Sequence, residues 1–199
     1  FGNATGIDGA QIFGSQLALL YDTRNDLLTP SRGTYVNVSA ELASNVARSV
    51  PNRWGHVVLD ARHLIPHDSN RKVFVARFLF ESVAGSKVPF YERPTVGGEN
   101  TLRAFGLQRF IDDQAILVNF EERMTVFTKR AFDHDLDVEV APSLDIGKES
   151  DKLFERLSRF QVNPGVGFRV MARPNVVGRV DLAYGKDGSN AFVGLDYPF

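Results

Sequence analysis

Over residues 34–42 every second side chain is apolar. Val36, Val38, Ala40 and Leu42 point one way, and Tyr35, Asn37, Ser39 and Glu41 the other. A strict period of two marks a strand whose faces meet different surroundings. Residues 14–25 repeat it, with Leu17, Leu19 and Tyr21 against Gln16, Asp22 and Arg24. Val57, Leu59 and Ala61 alternate with Val58, Asp60 and Arg62, and Phe74, Ala76, Phe78 and Phe80 with Val75, Arg77, Leu79 and Glu81. Ile116, Val118 and Phe120 oppose Leu117, Asn119, Glu121 and Arg123, and Val138, Val140, Leu144 and Ile146 oppose Glu139, Ser143 and Asp145. Val162, Val166, Phe168 and Val170 oppose Asn163, Gly165, Gly167 and Arg169, and Val180, Leu182 and Tyr184 oppose Arg179, Asp181 and Ala183. A last set places Val193, Leu195, Tyr197 and Phe199 opposite Gly194 and Asp196. Pro and Gly punctuate the chain at 28–33, and Asp187-Gly188-Ser189 forms a hairpin turn. The pattern predicts an all-β fold of about nine meandering antiparallel strands.

Two stretches interrupt it. Residues 85–113 form a long loop, richest at 89–106, with Phe90, Tyr91 and Phe105, a Gly97-Gly98 pair, and Arg103 between Leu102 and Ala104. A loop of this length in a compact protein is functional or disordered. This one is too aromatic, and too poor in Ser, Lys and Gln, for disorder. Residues 148–160 are charged, with Leu153, Phe154 and Leu157 at helical spacing, and read as a loop insertion between strands.

Alternation does not say which face is inside. A soluble β-sandwich buries the apolar face and wets the polar one. A membrane barrel turns the apolar face to lipid and pairs its charges in a polar interior. Asp60, Arg62, Arg77, Glu81, Glu121, Arg123, Glu139, Asp145, Arg169, Arg179 and Asp181 all fall on the polar faces at strand centres, which suits either. Strand length favours the barrel, because several strands run ten residues or more, and a tilted membrane strand needs ~9–11. The sequence ends on Phe199 with Tyr197 on the same face.

Composition narrows the classes. Sixteen Phe and five Tyr against two Met and one Trp favour strands. A net charge of -1 gives no sign of a nucleic-acid partner. Cysteine is absent, which removes disulfides and thiolate metal sites. No run of ~18 apolar residues forms a membrane helix, a fact silent on barrels. The start at Phe1 rather than a methionine reads as mature or excised sequence.

Four stretches carry a family resemblance. Tyr21-Asp22-Thr23-Arg24-Asn25 through Pro30 and Gly33 form a D-x-R-x…P-x-x-G hairpin. Gly97-Gly98 through Leu102-Arg103-Ala104-Phe105 resemble a long loop ending in V-R-G-F/Y. Phe120-Glu121 and Leu144-Asp145-Ile146-Gly147 are similar to the two strands that follow it, and Phe199 to a terminal aromatic sorting signal. From about Gly14 onward the chain thus resembles the C-terminal barrel region of the BamA–TamA superfamily of outer-membrane assembly and translocation proteins.

The resemblance implies a lumen-inserted loop whose Arg103 meets Glu121 and Asp145. A guanidinium offers a rigid fork of donors that suits two carboxylates. It also implies that Val193, Leu195, Tyr197 and Phe199 form a C-terminal sorting signal on an edge strand. Pro198, which cannot donate to a ladder, would leave that strand weakly paired, as suits a seam that opens. Ala104 stands where the family has glycine, which raises the expectation of backbone strain in the loop. The family's barrel has sixteen strands, and an open nine-stranded sheet would leave unpaired backbone in hydrocarbon. Residues 1–199 are therefore read as one barrel region, the C-terminal part of a larger barrel, with a compact eight-stranded relative as the alternative if one hairpin is over-split.

The implied function is an outer-membrane pore or insertase of a Gram-negative bacterium, not an enzyme and without a cofactor. Its implied partners are outer-membrane lipid, unfolded barrel precursors or transported polypeptide, accessory lipoproteins and periplasmic domains of the same protein. Two alternatives stand beside it. One is a barrel that anchors or secretes an N-terminal effector such as a patatin-like lipase, and the other is a soluble β-sandwich binding module. His56, His63, His67 and His134 are scattered, and no serine sits in a G-x-S-x-G setting. The glycines at 165 and 167 lie in a strand, where they are expected to let bulky lumen contents or the folded-back loop approach the wall.

Overall fold

The computed structural model describes residues 5–7, 9–47, 52–69, 71–131, 134–151, 160–172 and 176–199. Its strands are β1 (Ile12–Asp22), β2 (Gly33–Asn45), β3 (Asn52–His67), β4 (Lys72–Gly85), β5 (Thr95–Val96), β6 (Phe110–Ile111), β7 (Gln114–Ala131), β8 (His134–Ser150), β9 (Gln161–Ala172), β10 (Val176–Gly185) and β11 (Gly188–Gly194). Nine of them form one sheet in the order β1-β2-β3-β4-β7-β8-β9-β10-β11, every neighbouring pair antiparallel. The sheet is not closed and has β1 and β11 as its edges. It is a partial barrel.

The strands divide inside from outside as the period of two requires. On β4 the buried positions are Val73, Val75, Arg77, Leu79 and Val83, and on β7 they are Ala115, Leu117, Asn119, Glu121 and Arg123. The opposite face carries apolar side chains in the open: Leu17 is 71% exposed, Leu42 76% and Val193 78%. An uncovered apolar surface across a whole sheet has lipid as its natural solvent. Among the described residues no second sheet packs on that apolar face, so the two-layer sandwich is not what these residues build. Strands β1 to β4 and β7 to β9, of 11 to 18 residues, also suit a bilayer.

Four expectations change. The long loop contains an antiparallel ribbon, β5 with β6, and a 3-10 turn at Phe90–Glu92, which its irregular composition hides. Residues 148–150 are not loop, because β8 runs to Ser150 and pairs Lys148 with Ile116 and Glu149 with Ala115. Lys148 is 1% exposed, and the rest of the charged stretch, 152–159, lies outside the described residues. Ala104 does not take a positive φ, so the expected strain is absent.

The fourth change is at the end of the chain. β11 stops at Gly194 instead of running to Phe199. Arg179 pairs with Gly194, so a longer strand would have set Leu195, Asp196 and Tyr197 beside Gly178, Val177 and Val176. Val193 and Leu195 do face outward, at 78% and 83% exposed, but Tyr197 is half-buried and Phe199 is buried on the inner side. Pro198 has no N–H for the ladder, and the inner face offers both rings polar and cationic partners that the outer face lacks.

Candidate functional site

The loop returns over the inner face of the sheet because its sequence allows a tight reversal there. Gly97 and Gly98 take φ of +110° and +113°, which glycine adopts without the cost of a Cβ. A Cβ at Gly97 would lie 2.6 Å from the Gly106 carbonyl oxygen. The Gly98 N–H donates to the Phe105 carbonyl (3.0 Å), the Gln108 N–H to the Gly97 carbonyl (3.2 Å), and the Gly97 N–H to Thr101 Oγ1 (2.9 Å). Residues 97–108 thus form a closed turn that presents Leu102, Arg103, Ala104 and Phe105 as a unit.

Three of those four side chains pack into the wall. Leu102, Ala104 and Phe105 join Leu79 of β4, Ala115 and Leu117 of β7 and Ala183 of β10 in one buried cluster. Phe105 meets Phe110 edge-on, with ring centroids 4.9 Å apart. Burying Leu102 and Phe105 stabilises the seated loop by about 1.5–3 kcal/mol each. Two wall glycines make the approach possible: a Cβ at Gly185 would lie 2.8 Å from the Ala104 Cβ, and one at Gly147 3.1 Å from Leu102 Cδ2. Gly165 and Gly167, expected to admit the loop, instead face wall groups, namely the Leu182 carbonyl and Ser143 for one and Asp181 for the other. Gly185 also gives the methyl of Ala104 its space.

Arg103 is the fourth. Its Nε and one terminal nitrogen fork onto Asp145 of β8 at 3.0 and 2.8 Å, and its backbone N–H donates to the same carboxylate at 3.1 Å. The other terminal nitrogen reaches Glu121 of β7 at 2.9 Å and stands 3.6 Å from Asp181 of β10. The structure therefore brings Arg103, Glu121 and Asp145 together, each 0–1% exposed at the side chain. Four donor contacts from one residue hold the loop to two strands.

The cluster is wider than these three. Glu121 also accepts from Arg123 (2.8 Å) and from Arg169 of β9 (2.8 Å), and Arg169 reaches Glu139 of β8 at 3.1 Å. Arg179 of β10 binds Asp181 at 2.6 Å and Glu99 of the loop at 2.9 Å. Asn119 bridges Asp145 (2.8 Å) and the Thr101 carbonyl (3.0 Å), while Arg77 donates to the Asn100 carbonyl (2.7 Å). On the wall, Arg123, Arg169 and Arg179 face Glu121, Glu139, Asp145 and Asp181, and the neighbouring Arg77 is held by Asp60 at 2.9 Å. Arg103 adds its own cation from the loop. A buried charge without a partner is expensive, and a paired, hydrogen-bonded one is tolerated. Arg103 is buried here with both conditions met, paired and hydrogen-bonded to Asp145 and Glu121.

The sequence shows Arg123, Glu139, Arg169, Arg179 and Asp181 on the inner face but not in this cluster. Register is the missing information: Glu139 stands directly opposite Arg169, and Asn119 opposite Asp145. Tyr197 and Phe199 lie against guanidiniums of the cluster. Val193 and Leu195 stay outside, away from the cluster. Among the described residues no group of His, Asp and Glu is arranged to hold a metal ion.

Comparison with known proteins places this architecture. The Omp85 superfamily domain matches residues 9–190. Among solved structures, "The crystal structure of BamA from Haemophilus ducreyi lacking POTRA domains 1-3" is similar, with a TM-score of 0.67 and 15% identity over 91% of this chain. At that identity the likeness speaks for the fold. This chain spans 41% of the length of that one. No curated protein matches.

Proposed function

The chain belongs to the Omp85 superfamily, and from that premise we propose that it forms part of an outer-membrane pore that inserts β-barrel proteins or moves polypeptide across the membrane. The observation that carries the reading is the loop held on the inner face through Arg103, Glu121 and Asp145. An open diffusion channel needs a clear, hydrated interior. Here the inner face is occupied by a loop fixed through a buried ion cluster, as suits a protein whose wall and seam do the work.

In this reading the apolar outer face meets outer-membrane lipid of a Gram-negative bacterium. Unfolded barrel precursors or transported polypeptide are the substrates, and accessory lipoproteins and periplasmic domains of the same protein are partners. Arg103 pins the loop, and Val193, Leu195, Tyr197 and Phe199 serve as the sorting signal. β10 has ten residues and β11 seven, so the edge strand leaves part of its neighbour unpaired at the seam. The test is to place the full-length protein in phospholipid vesicles and follow the folding of an added, urea-unfolded barrel protein. Wild type should speed insertion, and Arg103→Ala should lose most of that gain. Equal rates with and without the protein would contradict the reading.

A further inference from the structure

Tyr197 and Phe199 end up over the charge cluster. The Tyr197 ring centroid lies 3.8 Å from the guanidinium carbon of Arg123 and 4.9 Å from that of Arg169. The Phe199 ring lies 5.6 Å from Arg103 and 5.7 Å from Arg77. Four guanidiniums thus meet two rings, within the ~6 Å at which a cation feels an aromatic quadrupole. The Tyr197 hydroxyl donates to Glu139 at 3.2 Å, and Arg123 donates to the Phe199 carbonyl at 3.3 Å. Phe199 is anchored by Leu64, Val73 and Val75.

We infer that Tyr197 and Phe199 are positioning residues for the loop, acting as an aromatic roof that keeps water off the ion cluster holding Arg103. The inference rests on the proposed role of Arg103 as the pin, and adds to it a second task for residues expected to serve in sorting. An ion pair in water is weak and screened, whereas the same pair in a dry site is strong and insensitive to salt. Arg103, Glu121, Asp145 and Arg169 are each no more than 1% exposed. The loop packs on the cluster from one direction, and the two rings lie against four of its guanidiniums. A ring suits that place better than an aliphatic chain, because its face stabilises the cations while excluding water.

The test uses the full-length protein refolded into phospholipid vesicles, which bypasses cellular sorting, with heat-dependent gel mobility to confirm folding. Protease cleavage within 97–108 is timed at ionic strengths of about 0.1 M and 1 M, where the Debye length falls from ~10 to ~3 Å. Tyr197→Leu and Phe199→Leu keep apolar bulk and lose the π face. Each should raise cleavage about tenfold and make it faster in high salt, while Tyr197→Phe and Phe199→Trp stay within about threefold of wild type. Should the leucine variants cleave like wild type at both salts while Arg103→Ala opens the loop, the roof is refuted and the pin stands. Should Arg103→Ala itself leave cleavage unchanged, the pin is refuted and the roof with it.

Discussion

Two arginines on the inner face hold an aspartate in nearly the same way. Arg103 forks onto Asp145 with contacts of 3.0 and 2.8 Å, and Arg24 forks onto Asp22 with contacts of 3.0 and 2.8 Å. Their surroundings differ. The Arg103 pair is 1% exposed at each side chain, and the Arg24 pair 13% and 21%. Arg24 also lies 4.7 Å from the Tyr35 ring and shares that ring with Arg62, and it sits just past the end of β1 with no loop seated over it among the described residues. The bond is equal in the two places, and what differs is the consequence of breaking it. Water replaces a lost partner at Arg24, and nothing replaces one beneath the loop.

That difference can be tested by removing one partner at a time. Arg103→Ala should destabilise the seated loop by about 3–5 kcal/mol, because it strands buried carboxylate charge, and urea unfolding together with loop proteolysis would show it. Ala104→Leu keeps every charge and should cost about 1–3 kcal/mol through overpacking against Gly185. A loop that closed normally over the larger side chain would show that the wall gives way there. Gly97→Ala should cost about 1–3 kcal/mol, since an alanine is forced to a φ near +110°. Arg24→Ala should cost about 0–1 kcal/mol and less at high salt. A loss there as large as that of Arg103→Ala would mean that burial is not what separates the two forks.

Much of this arrangement is written in the alternation of the chain. The period of two assigns Glu121, Asp145, Arg169 and Asp181 to one face without any knowledge of the fold, because lipid on one side and charge pairing on the other leave each position little choice. Register is less legible. That Glu139 faces Arg169, or that Gly185 stands under Ala104, depends on how hairpins of different loop length align. Loop and tail are less legible still. The β5–β6 ribbon hides in a composition of Gly, Pro and aromatics. At Tyr197 and Phe199 parity points outward, yet Pro198 cannot extend the ladder and the arginines offer the rings a better place inside. Local pattern failed where a long-range partner outbid it.

The most direct test of the central claim is a double-mutant cycle on Arg103 and Asp145 in the vesicle-inserted, full-length protein, read by protease cleavage of the loop. Arg103→Ala, Asp145→Ala and the double variant are compared with wild type. A buried pin predicts a coupling energy of about 2–3 kcal/mol, with the double variant little worse than either single one. Additive effects with coupling near zero would show that the apolar packing of Leu102 and Phe105 seats the loop, and that the ion cluster does not.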